Sequence, residues 1–132
     1  MATIVIASLA GSCTAFALSR YLDWNKVLAS ALPSLIVFAL VAVLKDKLST
    51  NLTEVIPPAF MGATFCGMSA SPIFNSLKSA AVSGLFFALL FSGPALAFSG
   101  YGGALGTMAC ISVLATAGLR RIASRYFSSP KD

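Results

Sequence analysis

The amino-acid sequence predicts an all-α polytopic membrane protein, in which residues 1–132 form a single transmembrane domain. The chain is 58% apolar and only 10% charged, whereas a soluble domain carries about 25% charged residues. The charged residues are also clustered, and the uncharged runs between the clusters are long enough to cross a bilayer. We therefore expect a compact bundle of five short transmembrane helices. The alternative is four crossing helices and one re-entrant segment.

The first two crossing helices are predicted over about residues 2–19 and 27–44. The connector from Arg20 to Lys26 mixes aromatic and charged side chains, as is typical of a membrane–water boundary. The first segment has no basic residues before its apolar part, so we interpret it as a retained span and not as a signal peptide. The second segment is rich in Leu, Val and Ile, and we expect it to face lipid.

The third segment, about residues 55–77, is uncharged but contains three prolines. Pro58 fits the first turn of a helix, where a missing N–H costs nothing. Pro72 would instead remove an N–H from within the helix and bend it. A kinked crossing is therefore the favoured interpretation, and a re-entrant loop is the alternative.

The last two helices are predicted from an uncharged run between Lys78 and Arg120. A run of about 40 residues is twice the roughly 20 residues that one crossing needs. We therefore expect a hairpin with spans at about 79–98 and 104–119, joined by a glycine-rich turn. Residues 120–132 form a basic tail, which we expect to contact anionic lipid headgroups.

The distribution of basic residues predicts the orientation. With five crossings, seven of the nine Lys and Arg residues lie on one side, and only Lys45 and Lys47 lie on the other. The basic side of a membrane protein is usually cytoplasmic. The tail is cytoplasmic with either number of crossings, whereas the side of the N-terminus depends on whether the third segment crosses. We expect a bacterial inner membrane.

Small residues spaced four apart indicate how the helices pack, because they allow two helices in lipid to approach closely. Four of the five segments carry such a stripe, including a stripe of Gly102, Gly106 and Cys110 in the last one. We expect a tight bundle that also associates with copies of itself or with another membrane protein. The packing candidates are Ala7, Gly11, Ala15, Ala63, Gly84, Ala88 and Gly102.

The chain offers little for catalysis. It has no His, and its four acidic residues lie at predicted boundaries, in loops or in the tail, so no acid–base pair is expected inside the bilayer. Its three cysteines form no CxxC motif. We therefore expect no enzyme activity, no metal and no cofactor. The net charge of +5 is explained by the orientation rule, and we expect no nucleic-acid partner.

Two proline-associated breaks, at Pro72 and at Gly93-Pro94, lie near hydroxyl side chains. Transporters form substrate sites from helices broken in this way. The sequence therefore favours a small channel or carrier for an ion or small neutral solute, working as a homo-oligomer. The alternative is a non-catalytic accessory or scaffold subunit of a larger membrane complex. The pathway candidates are Gly67, Ser69, Ser71, Pro72, Asn75, Ser92, Gly93, Pro94, Gly106 and Thr107.

Overall fold

The protein is organised as a series of α-helices. The computed structural model describes residues 1–70, 73, 76–93 and 103–127. The first two helices start and end close to their predicted bounds. The helices are α1 (Ala2–Tyr21), α2 (Lys26–Val43), α3 (Thr50–Ala70), α4 (Leu77–Ser92) and α5 (Ala104–Phe127).

Helix α3 begins at Thr50, earlier than predicted, and runs through Pro57 and Pro58. The prediction that Pro58 lies in the first turn is therefore wrong. The polar stretch before the prolines starts the helix, because the backbone N–H and the hydroxyl of Thr53 both donate to the Ser49 carbonyl, at 3.1 and 3.2 Å. The described helix ends at Ala70, and the predicted kink at Pro72 lies outside the described residues.

Helices α4 and α5 also differ from their predicted lengths. Helix α4 ends at Ser92, not near residue 98, and Gly93 follows in an extended conformation. A residue that precedes a proline is disfavoured in a helix, which accounts for this end. Helix α5 continues past residue 119 to Phe127. Part of the predicted tail is therefore helical, since residues 120–127 contain no Gly or Pro to end the helix.

Neighbouring contacts define the helix directions. Gly11 of α1 lies against Phe60 of α3, and Phe16 lies against Gly67 further along. From the first contact to the second, the residue numbers increase in both helices, so α1 and α3 run in the same direction. The same comparison shows that α5 is parallel to α3, while α2 and α4 run in the opposite direction. The five described helices therefore alternate in direction along the chain.

Helix α3 is the centre of the bundle, because it packs against each of the other four described helices. Phe16 from α1 and Phe87 from α4 are almost completely buried in the core around it. Met108 and Val113 bring α5 into the same core. Small side chains fill the remaining space, so the interior is closed by direct helix contact.

The outer surface is strongly apolar. Helix α2 carries exposed Val, Leu, Ile and Phe side chains along its length, as its sequence predicts. Three of the described helices are long and apolar enough to cross a membrane: α1, α2 and the Ala104–Tyr126 part of α5. Helix α4 is a shorter apolar helix. These features are compatible with an integral membrane protein.

Candidate functional site

The contacts of α1 with α3 and α4 depend on glycine. A Cβ atom added to Gly11 would lie 2.6 Å from the carbonyl oxygen of Phe60, and one on Gly84 would lie 2.9 Å from the Cβ of Ser12. A Cβ on Gly67 would overlap the carbonyl oxygen of Ser12. These separations are shorter than real side chains tolerate, so the backbones approach this closely only because the residues are glycines.

The other predicted packing residues lie mainly in the same region. Ala15, Ala63 and Ala88 are buried, and Ala7 is half-buried. Gly102 lies outside the described residues. The small-residue stripes of α1, α3 and α4 therefore face other helices.

A further close contact was missed by the sequence reasoning. The ring of Phe87 lies directly on Gly62, where any added Cβ would overlap it. The Phe87 ring also stacks on Phe91, with ring centroids 5.8 Å apart. Gly62 falls between Ala59 and Ala63 of the predicted α3 stripe, so spacing alone gave no signal for its contact with α4.

The Ser12 hydroxyl links α1 to α4, and the sequence reasoning missed this hydrogen bond too. Ser12 Oγ donates to the carbonyl oxygen of Ala80 at 2.5 Å, and Ser83 Oγ donates to the same oxygen at 2.9 Å. Ser8, one turn before Ser12, is fully buried, and its hydroxyl has no hydrogen-bond partner. The spacing of Ser8 and Ser12 beside Gly11 was the available signal. A buried inter-helix hydrogen bond is worth about 0.6 kcal/mol in a membrane protein.

The buried polar residues in the described part of the chain are all Ser or Thr. Most of them bond within their own helix, as Ser112 does to the Met108 carbonyl at 2.7 Å and Thr116 to the Ser112 carbonyl at 2.8 Å. Such bonds use the hydroxyl proton locally. Among the described residues, no group of three or more His, Cys, Asp or Glu side chains could hold a metal ion.

One face of α3 is left uncovered by the surrounding helices. Helices α2 and α5 pack on α3 at either side of this face, and within the described residues they share no extended contact with each other. A groove of about 500 Å³ runs between α3 and α2, and another of about 380 Å³ runs between α3 and α5. We call this face the α3 opening. It is defined by Pro57, Pro58, Met61, Phe65 and Met68.

The walls of the α3 opening are apolar, with a few hydroxyl groups behind them. Thr64 Oγ1 and Ser34 Oγ lie 3.2 Å apart, and each is also bonded to a carbonyl of its own helix. Ser30 Oγ lies 3.6 Å from Met68 Sδ. Because these polar atoms are already paired, the surface that remains suits an apolar occupant.

Those predicted pathway residues that the structure describes do not come together inside one copy of the chain. Gly67 packs directly against α1, as described above. Gly106 and Thr107 are exposed on α5, with open space around Gly106. Thr107 Oγ1 donates to the Gly103 carbonyl at 3.0 Å.

The remaining pathway candidates lie elsewhere or outside the described residues. Ser92 is half-buried at the end of α4, with its hydroxyl unpartnered, and Gly93 is exposed after it. The side chain of Ser69 lies outside the described part of the structure, as do Ser71, Pro72, Asn75 and Pro94.

Comparison with known proteins identifies no relative. No family model matches the chain, and neither does any curated protein or solved structure. Any functional conclusion therefore depends on the geometry of the bundle itself.

Proposed function

We propose that this protein is a non-catalytic accessory subunit of a larger membrane complex, and that it binds a transmembrane helix of its partner at the α3 opening. The observation that carries this proposal is the contrast around α3. Four helices pack on this helix and bury most of its surface, yet within the described residues one face remains uncovered and apolar. In lipid, a helix face of this kind is completed by van der Waals contact with another helix.

The proposal includes five crossings with a cytoplasmic C-terminus. The alternating helix directions place Arg20, Lys26, Lys78 and the arginines of α5 at one end of the bundle. Lys45 and Lys47 lie at the other end. Helix α3, with 21 residues, is about 32 Å long, which is enough to reach across the roughly 30 Å hydrocarbon core. It is not among the three helices that are also apolar enough to cross by composition, and in this proposal its place at the centre of the bundle shields it from lipid. The basic end is the cytoplasmic one by the positive-inside rule.

The filled interior is the reason for placing the function at the surface. Ala59 and Ala63 of α3, Ala80 of α4 and Phe87 are completely inaccessible to solvent. An ion path along this axis would need a lining of unpaired polar groups or water. The hydroxyls of Ser12, Thr64 and Ser83 instead donate to carbonyls of the bundle, and the unpartnered Ser8 hydroxyl is too little to line a path by itself.

A photoreactive residue in place of Met61 tests the accessory role. Met61 is 46% exposed at the α3 opening, whereas Ile36 on α2 is 57% exposed outside the grooves and serves as the matched control. Irradiation of cells at native expression should give an adduct with one integral membrane protein from position 61 and not from position 36. The same protein should co-purify at fixed stoichiometry. Adducts with lipid alone would overturn the proposal.

The second candidate is the homo-oligomeric channel or carrier, with its path between copies of the chain. The observation that favours it is the exposed small-residue surface of α5, formed by Gly106, Thr107 and Cys110. A path lined by this surface could exist only where copies meet.

Cross-linking through Cys110 tests this second candidate. Cys110 is exposed, Cys13 is half-buried and Cys66 is buried. A short thiol cross-linker should give dimers in native membranes, and a Cys110→Ser variant should give none. Purified oligomer in proteoliposomes should then conduct at least one member of a panel of ions and neutral solutes. Monomers only, or an oligomer without flux, would contradict the channel.

A further inference from the structure

A separate groove lies between α4 and α5, and Lys78 and Arg120 are among the residues that line it. Its volume is about 210 Å³. Lys78 and Val82 line it from α4, and Leu119 and Arg120 line it from α5. The two helices run in opposite directions, so the start of α4 lies beside the later turns of α5. The groove therefore has two cations at one end and apolar side chains along its wall.

The charged end of this groove favours a phosphate. The Lys78 ammonium supplies a compact positive charge, and the Arg120 guanidinium carries five N–H donors in a planar fork that matches phosphate oxygens. Lys78 lies in the first turn of α4, where backbone N–H groups lack helical partners and the helix dipole is positive. That turn contains no acidic residue that would repel a phosphate.

The apolar wall identifies the rest of the ligand. Val82 lies about one turn further along α4 than Lys78, and its side chain is 36% exposed. Leu119, beside Arg120, is 52% exposed. In the proposed orientation, the cations lie at the depth of lipid headgroups. The apolar side chains lie on the wall of the same groove, where an acyl chain would run. A ligand that fits both parts has a phosphate at one end and hydrocarbon at the other.

We infer that this groove is a binding site for an anionic phospholipid on the cytoplasmic side. The phosphate lies between Lys78 and Arg120, and an acyl chain contacts Val82 and Leu119. A zwitterionic lipid carries the same phosphate beside a cationic group, so it binds less well. The inference rests on the membrane placement proposed above and does not depend on the partner at the α3 opening.

Native mass spectrometry of the full chain in neutral detergent tests the site. The protein is titrated with phosphatidylglycerol, with phosphatidylcholine of the same acyl chains, and with inorganic phosphate. The wild type should bind phosphatidylglycerol most tightly. In a Lys78→Gln/Arg120→Gln variant this affinity should fall by about fivefold for each residue changed, since a basic residue near a membrane surface is worth about 1 kcal/mol.

A matched control changes the same number of charges at the opposite end of the bundle. A Lys45→Gln/Lys47→Gln variant should keep the wild-type preference for phosphatidylglycerol. An equal loss in both double variants would overturn the inference, because the effect would then follow net charge alone. Equal binding of the two lipids by the wild type would overturn it too. Complete displacement of the lipid by inorganic phosphate would also overturn the inference, because the groove would then bind phosphate without lipid specificity.

Two further measurements keep the outcome unambiguous. A Lys78→Arg variant should retain the lipid preference, so a loss in Lys78→Gln reports the charge and not the fold. Extraction of cell membranes at high pH tests the membrane placement separately. If the protein is extracted, the placement itself fails. If it stays in the membrane and shows no anionic preference, only the lipid site fails.

Discussion

The small-residue stripes of α1, α3 and α4 and the stripe of α5 look alike in the sequence but lie in opposite environments. Gly11 and Gly67 are pressed against backbone atoms of neighbouring helices. Gly106 has no heavy atom from outside its own turn of helix within 4 Å of the position a Cβ would take, and Cys110 is exposed. The same spacing therefore marks a helix contact in one region and an outer surface in the other.

The difference shows what four-residue spacing means in a membrane helix. Helix α5 buries an adjacent face, formed by Met108, Ala109, Ser112, Val113 and Thr116. Lipid is as apolar as a side chain, so the hydrophobic effect does not choose which face turns inward. The choice depends on shape, and the Met108 face fits the core around α3 and α4. Small-residue spacing thus shows that a face can pack closely, not that it does.

The largest expected effect comes from removing a ring in the packed region. Phe87→Ala should lower the free energy of unfolding by about 3–5 kcal/mol, because Phe87 is completely buried and its loss leaves a cavity over Gly62. Leu114→Ala on the outer side of α5 is the control, since Leu114 is 63% exposed. Reversible unfolding in mixed micelles measures both. Equal losses would mean that the two regions do not differ in packing.

Matched glycine substitutions test the comparison most directly. Gly67→Ala should destabilise the protein by about 1–3 kcal/mol, because the new methyl group meets the Ser12 backbone. Gly106→Ala should be neutral or stabilise it by up to about 1 kcal/mol, because alanine is the better helix former and the space is open. The midpoint of thermal unfolding should fall for Gly67→Ala and should stay level or rise for Gly106→Ala. A destabilised Gly106→Ala variant would reveal a contact on α5, as expected for the homo-oligomer.

The smallest effect concerns the hydroxyl groups. Ser12→Ala should cost about 0.6 kcal/mol, because it removes the hydrogen bond from α1 to the Ala80 carbonyl. Thr107→Val is the control: its hydroxyl bonds only within exposed α5, so its loss should change stability very little. Unfolding curves collected side by side in the same detergent resolve the difference. A larger effect at Thr107 than at Ser12 would contradict the assignment of the α1–α4 contact.

Much of the helix arrangement was predictable because charged residues interrupt an otherwise apolar chain. Arg20 and Lys26 bracket the first connector, and the observed ends of α1 and α2 lie close to it. The early start of α3 was not predictable in this way. Polar residues before Glu54 resemble a loop by composition, yet Thr53 uses its hydroxyl and its N–H to form a helical turn.

The candidate site was less accessible to sequence reasoning. The sequence identified Gly67 as a candidate for lining a pathway. A small residue at this position is equally suited to a close contact between two helices. Only the position of α1 against it distinguishes the two. The α3 opening had no sequence signal, since it is formed by the distance between α2 and α5.

The sequence by itself determined an all-helical, apolar chain with basic residues gathered toward one end, because hydropathy and charge are properties of the residues. It also determined where close helix approach is possible, through the positions of its glycines. The tertiary structure alone decided that α3 is central, that the α5 stripe faces outward and that Lys78 and Arg120 line the same groove. These features depend on which surfaces fit together, and in an apolar solvent fit is set by shape in three dimensions.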